Sequence, residues 1–265
     1  MDDSASPAGA VEGGREAPRI RRAVLWFVLL TVGLSFGVYF AFLRAESRAL
    51  LVPVVLVFVP TVVCIPLAAA SGGRPGLRRL FGRAAGSLRW VLIGAAVGAL
   101  MRVLVLAVGL ILGRPVGIDL RAPGTWFVVF VTIPLAFFEE LGWRRFALAR
   151  LLGSRSPLEA ALILGVPWSI IHLILVLPGM MSAGAPAIPQ TLVLVALSVL
   201  LTWVYVRSGG NVLAVTLLHG VQNGLVVLNR GLPMAEATWL MLGVYLALAV
   251  IVVLADRRLF FSRRS

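Results

Sequence analysis

TWFVVFVTIPLAFFEELGWRRF, residues 125–146, decides the fold. The run from Phe127 to Phe138 is apolar and contains no charge, and it ends on two adjacent glutamates, Glu139 and Glu140, with Arg144 just beyond. A carboxylate at membrane depth costs several kcal/mol, about 2.5–3.5 for Asp on an insertion scale, so its presence marks a functional site by default. The run is long enough to enter the hydrocarbon of a bilayer about 30 Å thick.

The rest of the chain reads the same way. Hydrophobic residues make up 60% of the 265 residues, charged residues 13%, and mean hydropathy is +1.00. A soluble domain of this size has no use for so much apolar surface. Eight apolar runs of spanning length follow one another, at about 23–43, 50–70, 90–112, 125–143, 157–177, 188–206, 211–229 and 237–255. The expected fold is therefore all-α: a polytopic integral membrane protein with about eight transmembrane helices and a polar intramembrane active site. Residues 1–19, rich in Ala, Gly, Pro and charge, read as a disordered cytoplasmic tail, and 20–265 as a single transmembrane domain. The first apolar run is of full length and reads as an uncleaved span rather than a signal peptide.

The net charge of +13 comes from 24 basic residues, all of them arginine. They lie between the apolar runs rather than on one surface, which is a topology signal and not a phosphate-binding footprint. Nucleic acid is not an expected partner; the lipid bilayer is. With eight spans, 18 arginines fall on the side of the termini and 5 on the other, with Arg102 left inside a span. This bias predicts both termini in the cytoplasm, and the arginine-only, alanine-rich composition hints at a bacterial plasma membrane. GLRRLFGRAAGSLRW, residues 76–90, spaces its apolar residues helically between arginines; it reads equally as an interfacial helix or a connecting loop. Cys64, the only cysteine, lies in an apolar run and reads as a small buried hydrophobe.

Both histidines of the chain, His172 and His219, sit deep in apolar runs. Trp168 precedes His172 by four residues and Asn223 follows His219 by four, so each pair shares a helix face. Polar groups in lipid must satisfy one another. The economical arrangement is one cluster of Glu139, Glu140, Arg144, His172, His219 and Asn223. Glu140 and Arg144 have the i, i+4 spacing of a helical ion pair with the acid first. Glu139 points about 100° away around the helix, free to act as a general base. Depth sets a difficulty. His172 lies ~22 Å along its helix from residue 157 and His219 ~12 Å from residue 211 at 1.5 Å per residue. They meet only if the fifth span starts earlier, tilts or lies partly outside the lipid.

EELGWR, WSIIH and HGVQN, in that order, resemble the CPBP family of membrane proteins. This family includes the type II CAAX prenyl endopeptidases and many bacterial relatives linked to bacteriocin processing or immunity. Its pattern is EExxxR, FxxxH, then HxxxN or HxxxD. Glu139, Glu140 and Arg144 fill the first motif. Trp168, in place of Phe, and His172 fill the second. His219 and Asn223 fill the third. The resemblance covers about residues 125–230. It implies an intramembrane endopeptidase in which Glu139 and His172 activate water while His219 and Asn223 stabilise the oxyanion, acting on a membrane-associated peptide or protein. Family members are described both as metalloproteases and as glutamate-dependent enzymes. Glu139, His172 and His219 are the one candidate zinc set, and no HExxH zincin motif is present. Trp168 and Arg102 are candidate substrate contacts; Arg102 reads alternatively as a snorkelling or carbonyl-bound arginine. The competing reading is a catalytically silent scaffold or immunity-type protein on the same fold.

Overall fold

The computed structural model describes residues 8–82, 87–117, 121, 124–229 and 231–262, with side chains from Arg21 onward. Helices follow one another in the order α1 (Ala8–Ala41), α2 (Arg48–Phe81), α3 (Leu88–Ile111), α4 (Thr125–Glu140), α5 (Ala149–Leu151), α6 (Pro157–His172), α7 (Ala187–Arg207), α8 (Val212–Gly224), α9 (Met234–Ala255) and α10 (Arg257–Phe261). No β-strand occurs among the described residues. Eight helical segments are long and apolar enough to cross a membrane, matching the eight expected spans. The protein is an all-α, polytopic integral membrane protein. Its outer surface is apolar, with Ile111, Ile188 and Phe127 among the large side chains left exposed. That surface is stable only against lipid.

Two boundaries differ from expectation. The backbone of residues 8–19 continues α1, where composition suggested a disordered tail; residues 1–7 of that tail lie outside the described residues. After the second span, α2 kinks at Gly73 (φ 54°, ψ −144°) and resumes as a helical turn through Phe81. The apolar Leu80 of that turn is buried while Arg78 and Arg79 end the helix, so the first part of 76–90 is helical. Residues 83–86 lie outside the described residues.

Helix α8 occupies the centre. Its span and that of α7 are each 61% buried, against 28% for the first, third, fourth and last. Glycines let its neighbours approach. A Cβ on Gly94 or Gly98 of α3 would lie 2.0 Å from the Ala214 carbonyl oxygen or 2.4 Å from that of Leu218, both on α8. On the other side, a Cβ on Gly220 or Gly224 of α8 would lie 2.5 Å from Ile133 Cα or 2.7 Å from the Val129 carbonyl oxygen, both on α4. Two small-xxx-small faces thus clamp α8 between α3 and α4, as packing in lipid favours. Thr132 of α4 donates to the Gly220 carbonyl at 3.0 Å across the same contact. The obstructing atoms are backbone, which cannot move aside. Gly220→Val is therefore expected to lower thermal stability in detergent by about 1–3 kcal/mol or more. Wild-type melting for this variant would remove the clamp from the account.

The connection from α7 to α8 is RSGGN, residues 207–211. Gly209 and Gly210 both take positive φ, 70° and 87°, which only glycine adopts without strain. Asn211 then caps α8, its side chain accepting from Leu213 N–H.

At the same end, Arg207 Nε donates to Asp256 Oδ2 at 2.6 Å and Trp203 Nε1 donates to the same oxygen at 3.1 Å. This ties the end of α7 to the end of α9. The Arg207 hydrogen bond, more than any other influence, holds the Asp256 carboxyl below its ordinary range. A carboxylate depressed in the folded state stabilises it above the unfolded pKa of about 3.9, and that contribution fades as pH falls through the lower folded value. Arg207 is half-exposed, so the effect is small. Asp256→Asn is expected to lower the melting temperature slightly at pH 6 and not at pH 2–3. Equal losses at both pH values would contradict the linkage.

Candidate active site

The site is assembled from α4, α6 and α8. Helix α4 ends in Glu139 and Glu140, and the chain then widens into a π-helical segment, Leu141–Leu148. Such segments are rare and occur often at functional sites. Gly142 within it abuts α2 so closely that a Cβ would meet Pro60 Cβ at 2.6 Å and its backbone at 2.8 Å. Thr61, next on α2, donates its hydroxyl to the Phe138 carbonyl, just before the glutamates. Helix α2 therefore fixes the backbone that presents both carboxylates.

Glu140 is fully buried and faces two basic partners. Arg144 Nη1 lies 3.3 Å from Oε1 and 3.2 Å from Oε2, the expected i, i+4 pair. His219 Nδ1 lies 2.7 Å from Oε1. The second contact joins α4 to α8 over 79 residues of sequence and was not legible from spacing. With Glu140 ionised, Nδ1 carries the proton and Nε2 points away from the pair.

Glu139 faces elsewhere. Its Oε2 accepts from Trp168 Nε1 at 3.0 Å. Trp168 is buried at the centre of the site. Its ring meets His172 at 5.1 Å and His219 at 5.4 Å between centroids, both edge-to-face, and the Arg144 guanidinium lies over it at 4.6 Å. His172 Nδ1 lies 2.9 Å from the Trp168 carbonyl oxygen, so with Nδ1 protonated its Nε2 is free to face Glu139. The structure thus brings Glu139, Glu140, Arg144, Trp168, His172 and His219 into one cluster.

Trp168 also resolves the depth difficulty. Helix α6 starts at Pro157, where Ser156 and Glu159 form a capping box, so the boundary stands. The indole, one turn before His172 on α6, fills the interval between the two histidines. Exposure divides the cluster. Glu140, Arg144, Trp168 and His219 are closed off, Glu139 is 9% exposed and His172 is partly open; Asn223, one turn beyond His219 on α8 and also partly open, has its hydrogen bond from Gln222 rather than from the cluster.

Arg102 lies apart, on α3, at the far side of α8. It is buried, and its guanidinium donates to the Gln222 carbonyl at 2.6 Å, to Gln222 Oε1 at 3.1 Å and to Asn229 Oδ1 at 3.5 Å. Tyr245 of α9 donates to Gln222 Oε1 at 2.8 Å, and Gln222 Nε2 donates to Asn223 Oδ1. Gln222 and Tyr245 were missed from sequence. The signal available was Gln222 itself, a second amide inside the HGVQN run.

Among the described residues no group of three His, Cys, Asp or Glu side chains is disposed to hold a metal ion. Glu140 takes Nδ1 of His219, Trp168 holds Glu139, and the Trp168 carbonyl takes Nδ1 of His172. These bonds engage Nδ1 of both histidines and leave both Nε2 atoms open, as in a metal-bound histidine, but Glu139, His172 and His219 do not lie close enough together to form such a group. Cys64, buried on α2, is a free thiol whose sulfur faces the Thr61 carbonyl.

A bundle of eight spans with two histidines, a glutamate pair, an arginine and a tryptophan converging inside it defines a helical membrane protein with a buried polar centre. Residues 121–225 match the family model described as type II CAAX prenyl endopeptidase Rce1-like. The CAAX prenyl protease 2 of Methanococcus maripaludis is 24% identical over 147 residues, covering 51% of this chain and 52% of that protein. The chain thus spans about half the length of the curated relative it matches. This matched segment, which holds Glu139, His172, His219 and Asn223, is similar to the type II CAAX prenyl endopeptidases.

Proposed function

We propose that the chain is an intramembrane endopeptidase that hydrolyses a peptide bond in a membrane-associated protein or peptide. The observation that carries this reading is the split between adjacent carboxylates. Glu140 is neutralised between Arg144 and His219. Glu139 has a neutral donor, Trp168, and is buried but less completely than Glu140, 9% exposed against 0%.

In this reading Glu139 and His172 hold a water between them. Glu139 takes its proton as the oxygen adds to the scissile carbonyl carbon. The carbonyl π pair moves onto oxygen, and His219 Nε2–H and Asn223 Nδ2–H receive the developing negative charge. Glu140 supports a positive His219 ring through Nδ1. The tetrahedral species then collapses, the C–N bond breaks, and the proton held by Glu139 passes to the departing amine. Side chains of this chain suffice for every step.

The arginine asymmetry supports a topology with both termini in the cytoplasm, which a C-terminal fluorescent fusion reports directly. The test of function is a comparison of membrane peptides from cells carrying the wild type or Glu139→Gln. Peptides that end at a new terminus only with the wild type identify the substrate. Identical peptide sets, with the cellular phenotype kept by Glu139→Gln, would favour the silent scaffold instead.

A further inference from the structure

We infer that Arg102, Gln222 and Tyr245 form a polarity relay that fixes which end of the Asn223 amide faces the substrate. The inference rests on the oxyanion role proposed above for Asn223 and deepens it.

An asparagine in an oxyanion hole is useful in one orientation only. Its NH₂ must face the charge; flipped by 180°, it presents a carbonyl oxygen and repels it. The two orientations are nearly isosteric, so packing does not choose between them, and hydrogen bonding must. Here the choice is made upstream. Arg102 sits inside α3 in an apolar bundle, 6% exposed, and among the described residues it meets neutral acceptors rather than a carboxylate. A buried arginine has only donors and no acceptor. Whatever end of Gln222 faces it must therefore be oxygen. Tyr245, buried on α9, adds a hydroxyl donor to the same Oε1.

With Oε1 held by two donors, the Gln222 NH₂ is forced to the opposite end. There it meets Asn223 and donates to Oδ1. An NH₂ is an unfavourable neighbour for another NH₂, so Asn223 must turn its oxygen inward and its Nδ2 away from Gln222. The sequence of dipoles begins at a cation and ends in an N–H donor at the partly open side of the site. Each link polarises the next in the same sense. The Arg102 Nε bond to the Gln222 backbone carbonyl anchors the relay to α8 itself, one residue before Asn223. Arg102, Gln222 and Tyr245 are positioning residues: they act through Asn223.

Gln222→Glu separates this role from a structural one. A carboxylate at 222 gains an ion pair with Arg102, so folding is maintained. It also replaces the donor facing Asn223 with an acceptor, which flips the Asn223 amide and turns Oδ1 toward the substrate. The assay uses purified protein in nanodiscs and an internally quenched peptide spanning the cleavage site found by the membrane-peptide comparison. The expected result is a loss of about 10²–10³ in kcat, the scale of one oxyanion-hole donor, with KM within about twofold of wild type. Melting temperature should be unchanged or raised. Asn223→Ala should lose the same amount, and Gln222→Glu with Asn223→Ala should lose no more than either alone. Tyr245→Phe, which removes a single hydroxyl, should lower kcat by a smaller factor with KM unchanged.

A Gln222→Glu enzyme with wild-type kcat overturns the relay while leaving the protease reading intact, provided Glu139→Gln and Asn223→Ala are inactive. Additive losses in the double variant also overturn it. If Asn223→Ala cleaves normally, the oxyanion role fails and the relay with it. If Gln222→Glu fails to fold, Tyr245→Phe decides: an unchanged kcat rejects the relay.

Discussion

Glu139→Gln is expected to reduce kcat by about 10²–10⁴, the usual contribution of a general base, without unfolding the protein. The amide is isosteric and its oxygen still accepts from Trp168 Nε1, so the hydrogen bond at 3.0 Å is kept. What is lost is basicity. A glutamine cannot take a proton from water at any working pH. Among the described residues the hydrogen-bond partner of Glu139 is a neutral indole, and the nearby Arg144 keeps Glu140 as its counter-charge, so the stability change should stay within about 1 kcal/mol. Cleavage of the quenched peptide and melting of the same nanodisc sample provide both readouts. An active, folded Glu139→Gln protein would remove the base from the mechanism. A variant that melts far below wild type would instead mean that Glu139 is structural, contrary to the role proposed for it.

The fold was legible because lipid imposes a coarse and continuous signal. Each span is a run of about 20 apolar residues, and the arginines mark the loops, so eight segments could be counted without knowing how they pack. The packing was not legible. Gly94, Gly98, Gly220 and Gly224 look like ordinary membrane glycines in sequence. Only the structure shows that they bring α3 and α4 to the two sides of α8. The members of the site were legible for a related reason: polar groups in lipid are few, and they must meet. Their pairings were not. The i, i+4 rule found Glu140–Arg144, which lies on one helix, but it is silent about Glu140–His219 and Glu139–Trp168, which join different helices. The spacing put Trp168 and His172 on one helix face, and Trp168 was a candidate substrate contact. In the fold its indole is buried between the two histidines and orients Glu139. The π-helical segment after Glu140 has no sequence signature at all. Within it Gly142 seats closely against Pro60, a contact between α2 and the segment after α4 that spacing does not reveal.

Glu140→Gln should be the most destabilising of the isosteric changes at the site, by about 3–5 kcal/mol, because it removes the counter-charge of a buried pair and leaves the other partner in place. Arg144 is 2% exposed and has Glu140 as its hydrogen-bond acceptor, with the Trp168 face as its other neighbour. It cannot shed its proton readily, so the uncompensated charge must distort the bundle or draw in water. The cost is thus assigned to the surviving arginine and not to the missing carboxylate. It follows that Glu140→Gln combined with Arg144→Met should recover most of the stability, since methionine keeps a polarisable contact with the indole and carries no charge. Activity should not return in the same measure. His219 would still lack the carboxylate 2.7 Å from Nδ1, and a ring without that support is a poorer cationic donor at Nε2. Thermal melting and peptide cleavage on the single and double variants separate the two effects. Recovery of both together would mean that Glu140 serves only as the partner of Arg144. Recovery of stability alone ties His219 to the chemistry through Glu140, and a double variant no more stable than the single one would refute the assignment of the cost to Arg144.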